Sequence, residues 1–122
     1  MIDELLDDAD RLIRSRESSW PRGSALLGRM ALEEWVRTHA MALDAGLALA
    51  SMRSQLLCIS VRVGAEQSAR ASYLWSALSS ACHHHAYELS PTRKEIGALI
   101  RDVREVVEPP QANDAPPSLQ QD

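Results

Sequence analysis

The clearest helical signal in the chain is SPTRKEIGALIRDVREVVEPP, residues 90–110. Its large apolar residues recur every three or four positions and therefore share one helix face. They are Ile96, Leu99, Ile100, Val103, Val106 and Val107. Ser90 and Pro91 predict the start of the helix, because serine caps helices and proline suits their first position. Pro109 and Pro110 predict its end.

The same periodicity, followed toward the N-terminus, predicts four more helices. They cover about residues 65–84, 48–63, 20–44 and 2–16. Gly64 and Gly46 are expected to end two of them, and Ser19 with Pro21 to begin another. Residues Cys58–Val63 alternate as a strand would, but helical patterns flank them on both sides. Helices of this length with short connections predict an all-α, up-and-down antiparallel bundle of four to five helices.

The sequence predicts the core-facing residues of two helices. The helix near residues 20–44 is expected to bury Leu26, Leu27, Met30, Ala31, Trp35 and Met41. The helix near residues 65–84 is expected to bury Ala71, Leu74, Trp75, Leu78, Ala81 and Cys82. Glu33 and Glu34 are expected on a solvated face.

Composition separates the chain into a bundle domain, residues 1–107, and a disordered acidic tail, residues 108–122. The tail is rich in Pro, Gln, Asp, Ser and Ala and cannot bury enough apolar surface to offset its ordering entropy. It holds three acids and no base, so a net charge of −4 leaves about −1 for the bundle. This balance argues against strong, non-specific nucleic-acid binding, which needs a basic excess.

The cysteines and the N-terminus indicate which cellular compartment to expect. Cys58 and Cys82 are the only cysteines, and they form no Cys-x-x-Cys pair. The acidic start MIDELLDD is unlike a signal peptide, and no apolar run is long enough to span a bilayer. We therefore expect a reduced, cytoplasmic protein with two free thiols and no membrane partner.

The segment CHHHAYE, residues 82–88, is the most unusual part of the sequence because it contains three of the four histidines. Cys82 and His85 are three residues apart and could share a metal ion if two ligands came from elsewhere, one of them His39. Consecutive histidines on a regular helix, however, point about 100° apart and cannot all reach one ion. His85 could instead act alone as a general base or acid, or be a structural histidine at the core edge.

His85-Ala86-Tyr87, near the end of the fourth predicted helix and before a last amphipathic helix, resembles HEPN domains. That family comprises four- or five-helix bundles of prokaryotic toxin-antitoxin, defence and RNA-processing systems. Many members are homodimeric, metal-independent RNases. Their motif is an Arg, four to six residues, then a His, often with a Tyr two residues later. The resemblance implies catalytic roles for His85 and Tyr87, no cofactor, and a homodimer.

The sequence departs from the family motif at the arginine. Leu78, Ser79 and Ser80 occupy the positions where the motif of His85 requires an Arg. One consequence would be a catalytically dead site that only binds RNA or a partner protein. Alternatively, an Arg from elsewhere in the chain supplies the charge; the candidates are Arg37, Arg70 and Arg93. The expected binding groove comprises Ser80, His83, His84, Arg70 and Arg93, with no metal.

Three functions remain open from the sequence. The first is an HEPN-like module that binds RNA or a partner protein, with weak or absent RNase activity. The second is a non-catalytic bundle that binds a partner protein. The third is a small metal-binding bundle.

Overall fold

The computed structural model describes residues 1–83 and 91–108, and every regular element in these ranges is helical. The elements are α1 Ile2–Ile13, α2 Trp20–Leu43, a 3₁₀ segment Ala45–Leu49, α3 Met52–Cys58, α4 Ser60–Val63, α5 Ala65–Cys82 and α6 Arg93–Val107. The prediction of an all-α bundle of four to five helices is confirmed. The alternative of a strand at residues 58–63 is wrong, because residues 60–63 form α4.

The four long helices α1, α2, α5 and α6 run antiparallel to their neighbours. Gln67 near the start of α5 donates to the carbonyl of Val106 near the end of α6. Arg104 near the end of α6 binds Asp7 and Asp10 of α1 at 2.8 and 2.9 Å. The short α3 and α4 lie in the connection from α2 to α5. The bundle therefore has two ends at which helix termini from different elements meet.

Small residues let the long helices approach closely. A Cβ atom at Gly28 of α2 would meet the Cδ1 atom of Ile100 at 2.5 Å and the Cδ2 atom of Leu78 at 3.4 Å. This glycine therefore lies where α2, α5 and α6 are all in contact. Leu78 and Ile100 are both fully buried beside it, as the stripes of α5 and α6 predicted.

Several predicted helix boundaries are corrected. Helix α6 is capped by Thr92, two residues after the predicted Ser90, and Thr92 forms a reciprocal capping box with Glu95. Gly46 does not end α2; Asp44 does, and Gly46 lies inside the 3₁₀ segment. Gly64 ends α4 as predicted, with a positive φ of 91° that other residues rarely adopt.

The predicted apolar stripe of α2 is partly wrong. Leu26, Met30 and Met41 are 40, 43 and 57% exposed, whereas Trp35 is buried. The buried face is formed largely by small residues, namely Ser24, Ala25, Gly28, Ala31 and Ala40, and by three larger ones, Leu32, Trp35 and Val36. Small residues give a weak periodicity signal. The larger Leu26, Met30 and Met41 therefore dominated the pattern, and the pattern indicated the wrong inward face.

In the described part of the chain, no helix is both long and apolar enough to cross a bilayer.

Candidate functional site

The segment with the histidines begins at one end of the bundle, which we call the histidine end. Trp20 at the start of α2, Cys82 at the end of α5 and Arg93 at the start of α6 lie there. His83 is exposed and caps α5, with its backbone N–H donating to the carbonyl of Ser80 at 3.1 Å. His84, His85 and Tyr87 lie outside the described residues.

The three positions that the HEPN motif reserves for an arginine differ in their environment. Leu78 is fully buried, Ser79 is half-buried, and Ser80 is exposed. The hydroxyl of Ser79 is inaccessible and has no hydrogen-bond partner within the described ranges. Of the three positions, only Ser80 could hold an arginine side chain in solvent without disturbing the core.

A polar contact joins α2 to α5 next to these serines. The indole Nε1–H of Trp75 donates to Glu33 Oε2 at 3.0 Å, and Arg29 Nε lies 3.7 Å from the same oxygen. That Arg29 nitrogen is inaccessible and makes no hydrogen bond to any residue that the structure describes. The expectation that Glu33 lies on a solvated face is therefore wrong. Its carboxylate links α2 to Trp75 of α5 and pairs with the guanidinium of Arg29.

Two arginines of α2 lie close enough to Cys82 to affect its titration. Burial raises the pKa of the Cys82 thiol, while Arg29 and Arg22 lower this pKa and Glu33 raises it further. The thiol is only 7% exposed. Cys82 immediately precedes the three histidines, so α2 brings two guanidinium groups to the place where the histidine segment begins.

The three arginines that the sequence predicted for this site, Arg37, Arg70 and Arg93, each have another partner in the bundle. Arg70 binds Glu105 of α6 at 3.1 Å and is 12 residues before Cys82, about 18 Å along α5. Arg93 lies over the ring of Trp20, with 4.4 Å from its Cζ to the ring centroid, and donates to the carbonyl of Ile13.

Arg37 pairs with Glu34 on the surface of α2, at 3.2 Å. The structure thus places Arg93 at the histidine end but leaves Arg37 and Arg70 outside it. The sequence alone did not point to Arg22 or Arg29. Their seven-residue spacing puts both on one face of α2, but only the packing of α2 against α5 shows that this face approaches Cys82.

The position of His39 excludes it from a metal site with Cys82. His39 accepts a hydrogen bond from Arg62 near the far end of α2, ten residues from Arg29, or about 15 Å along the helix. It cannot join Cys82 in one coordination sphere. Within residues 1–83 and 91–108, no three His, Cys, Asp or Glu side chains are arranged to hold a metal ion.

A cavity of about 880 Å³ opens at the other end of the bundle, which we call the cavity end. Trp35 and His39 of α2, Arg62 of α4 and Val107 of α6 are among its lining residues. No local sequence pattern indicates this cavity, because its walls come from four separate helices.

No family model, curated protein or solved structure matches this chain.

Proposed function

We propose that the protein is an HEPN-like module that binds RNA at the histidine end, in a bacterial toxin-antitoxin, defence or RNA-processing system in the cytoplasm. The observation that carries this proposal is the position of Arg29, which Glu33 holds beside Trp75 of α5; the charges of Arg29 and Arg22 both act on Cys82, the residue before the histidines. The arginine that the family motif places on the helix of the histidine is missing here. In this proposal the neighbouring helix α2 supplies it.

The chemistry of the site suits a phosphodiester. A guanidinium group offers a planar set of N–H donors that matches two phosphate oxygens, and its charge persists at any physiological pH. Glu33 limits how far Arg29 can move through its contact with the inaccessible Nε atom, while the Arg29 side chain as a whole is 24% exposed. Arg22 is exposed and adds a second positive charge. A backbone phosphate of RNA would give both arginines an anionic partner.

In this proposal RNA is bound but cleaved weakly or not at all. A metal-independent RNase removes the 2′-hydroxyl proton with a base, which would be His85, and stabilises the charge that develops on the phosphate. Arg29 pairs with Glu33, so part of its charge is already compensated. Tyr87, two residues after His85, is the second catalytic residue in this proposal.

The proposed activity is tested by cleavage of a mixed RNA pool in the presence of EDTA. Ser80→Arg restores the arginine of the family motif at an exposed position of α5. We expect this variant to cleave RNA faster than the wild type, and we expect the double variant Ser80→Arg with His85→Ala to lose that gain. Wild-type cleavage that survives His85→Ala would contradict the assignment of His85.

A second candidate function is a bundle that binds a protein partner, in the first instance a second copy of itself. The observation that favours it is the outer face of α2, where the exposed Leu26 and Met30 are four residues apart and therefore neighbours. Met41 lies farther along the same helix and is 57% exposed. Exposed apolar side chains that share one helix face are typical of protein interfaces.

A further inference from the structure

The cavity end combines features that the RNA-binding proposal does not use. Its cavity, of about 880 Å³, has a volume typical of sites that bind small molecules. Trp35, Val63, Val106 and Val107 provide apolar lining, while Arg62 and His39 provide polar groups. An apolar body with one anionic group is the kind of ligand that such a lining accommodates.

His39 and Arg62 form a fixed pair at this cavity. Arg62 Nε donates to His39 Nδ1 at 3.0 Å, so the neutral imidazole carries its proton on Nε2. The imidazole in turn packs edge-on against the indole of Trp35, with ring centroids 4.9 Å apart and planes at 72°. The guanidinium is thereby held through one nitrogen, and its two terminal nitrogens remain able to donate.

The charge of Arg62 is not compensated by its hydrogen-bond partner, because that partner is a neutral ring. No carboxylate in the described part of the chain forms an ion pair with Arg62, whereas six other arginines do have such pairs. Glu66 and Glu108 also line the cavity and are exposed. They would repel an anion at the mouth, so binding should strengthen when Glu66 is neutralised.

We propose that this cavity binds a small organic anion, with its carboxylate or phosphate on Arg62 and its apolar body against Trp35. His39 fixes the orientation of the guanidinium and is a positioning residue for it. Gly64, Ala65 and Gln67 at the start of α5 also line this cavity, and no side chain of the described residues caps that turn.

The test measures binding of phenyl phosphate to the full-length chain by calorimetry, with inorganic phosphate and phenol as matched probes. We expect phenyl phosphate to bind more tightly than either probe, because only it engages both Arg62 and the apolar wall. Arg62→Gln should weaken its binding about tenfold, by loss of a charge-assisted contact. Glu66→Gln should strengthen it.

Arg53→Gln is the control, since it removes the same charge from α3 and Arg53 does not line the cavity. It should leave the affinity within about twofold. Far-ultraviolet circular dichroism of each variant verifies folding. Equal affinities of the wild type and a folded Arg62→Gln variant would overturn the proposal, as would absence of phenyl phosphate binding at millimolar concentration. Tighter binding of inorganic phosphate than of phenyl phosphate would overturn the role of the apolar wall.

Discussion

Trp75 on α5 donates its indole N–H to Glu33 on α2 at 3.0 Å, and this contact is made beside Arg29. One carboxylate oxygen therefore holds the two helices together and fixes an arginine near the end of α5. Because both Arg29 and Glu33 act on the titration of Cys82, the thiol reports on the electrostatics of the proposed site without any ligand.

Replacing Glu33 with Gln should lower the pKa of Cys82, because the carboxylate raises that pKa. Replacing Arg29 with Gln should raise it, because the guanidinium lowers it. The measurement is thiolate absorbance against pH in a Cys58→Ser background, which removes the exposed second thiol. The same pKa of Cys82 in both variants and the wild type would mean that neither side chain approaches Cys82 in solution.

Replacing Leu78 with Ala should reduce the free energy of unfolding by about 2–5 kcal/mol, as for other fully buried leucines. Leu78 is fully buried where α5 meets Gly28 of α2. Urea denaturation measures the change, and Ser80→Ala on the exposed face of the same helix is the matched control. A loss below about 1 kcal/mol for Leu78→Ala would show that the α5 register is wrong.

The outer face of α2 predicts a homodimer that depends on Met30. We expect sedimentation equilibrium to give a dimer at micromolar concentration and Met30→Glu to give a monomer, since a buried charge opposes association. Val61→Glu, which places the same charge at another exposed apolar position on α4, is the control. A wild type that is monomeric at this concentration would contradict the prediction.

Stability should fall with decreasing pH in part through His39. Burial and the charge of Arg62 lower the pKa of His39, so the folded state disfavours its protonation. Below the ordinary value of about 6.5 the unfolded chain binds the proton more readily, so stability drops as pH falls from there toward the folded-state pKa. Chemical denaturation between pH 7 and 5 should show a steeper loss for the wild type than for His39→Gln. Identical slopes would contradict this contribution.

The sequence predicted the fold well where large apolar residues set the pattern. The stripe of α6 is correct at Ile96, Ile100 and Val103, and that of α5 is correct at Leu74 and Leu78. The prediction for α2 was correct at Ala31 and Trp35 but wrong at Leu26, Met30 and Met41, because glycine and alanine form much of the inward face. A helix that packs through small residues leaves its larger side chains outside, and periodicity then indicates the wrong face.

The proposed site was only partly accessible to sequence reasoning. The histidines and Cys82 stood out by composition, but the arginine was expected on the same helix or at Arg37, Arg70 or Arg93. Arg29 is more than 50 residues from Cys82 in the chain. Only the antiparallel register of α2 against α5 brings it near, and no local pattern encodes that register.

The most direct test of the account is the affinity of a fluorescent single-stranded RNA for the wild type, Arg29→Gln and Arg53→Gln, measured by anisotropy at several salt concentrations. We predict about tenfold weaker binding by Arg29→Gln and a slope of log affinity against log salt that is smaller by about 1, as for one lost phosphate contact. Arg53→Gln, with the same change in net charge, should bind nearly as the wild type does. Equal affinities for Arg29→Gln and Arg53→Gln, or no RNA binding by the wild type, would contradict the proposal that α2 supplies the phosphate-binding arginine.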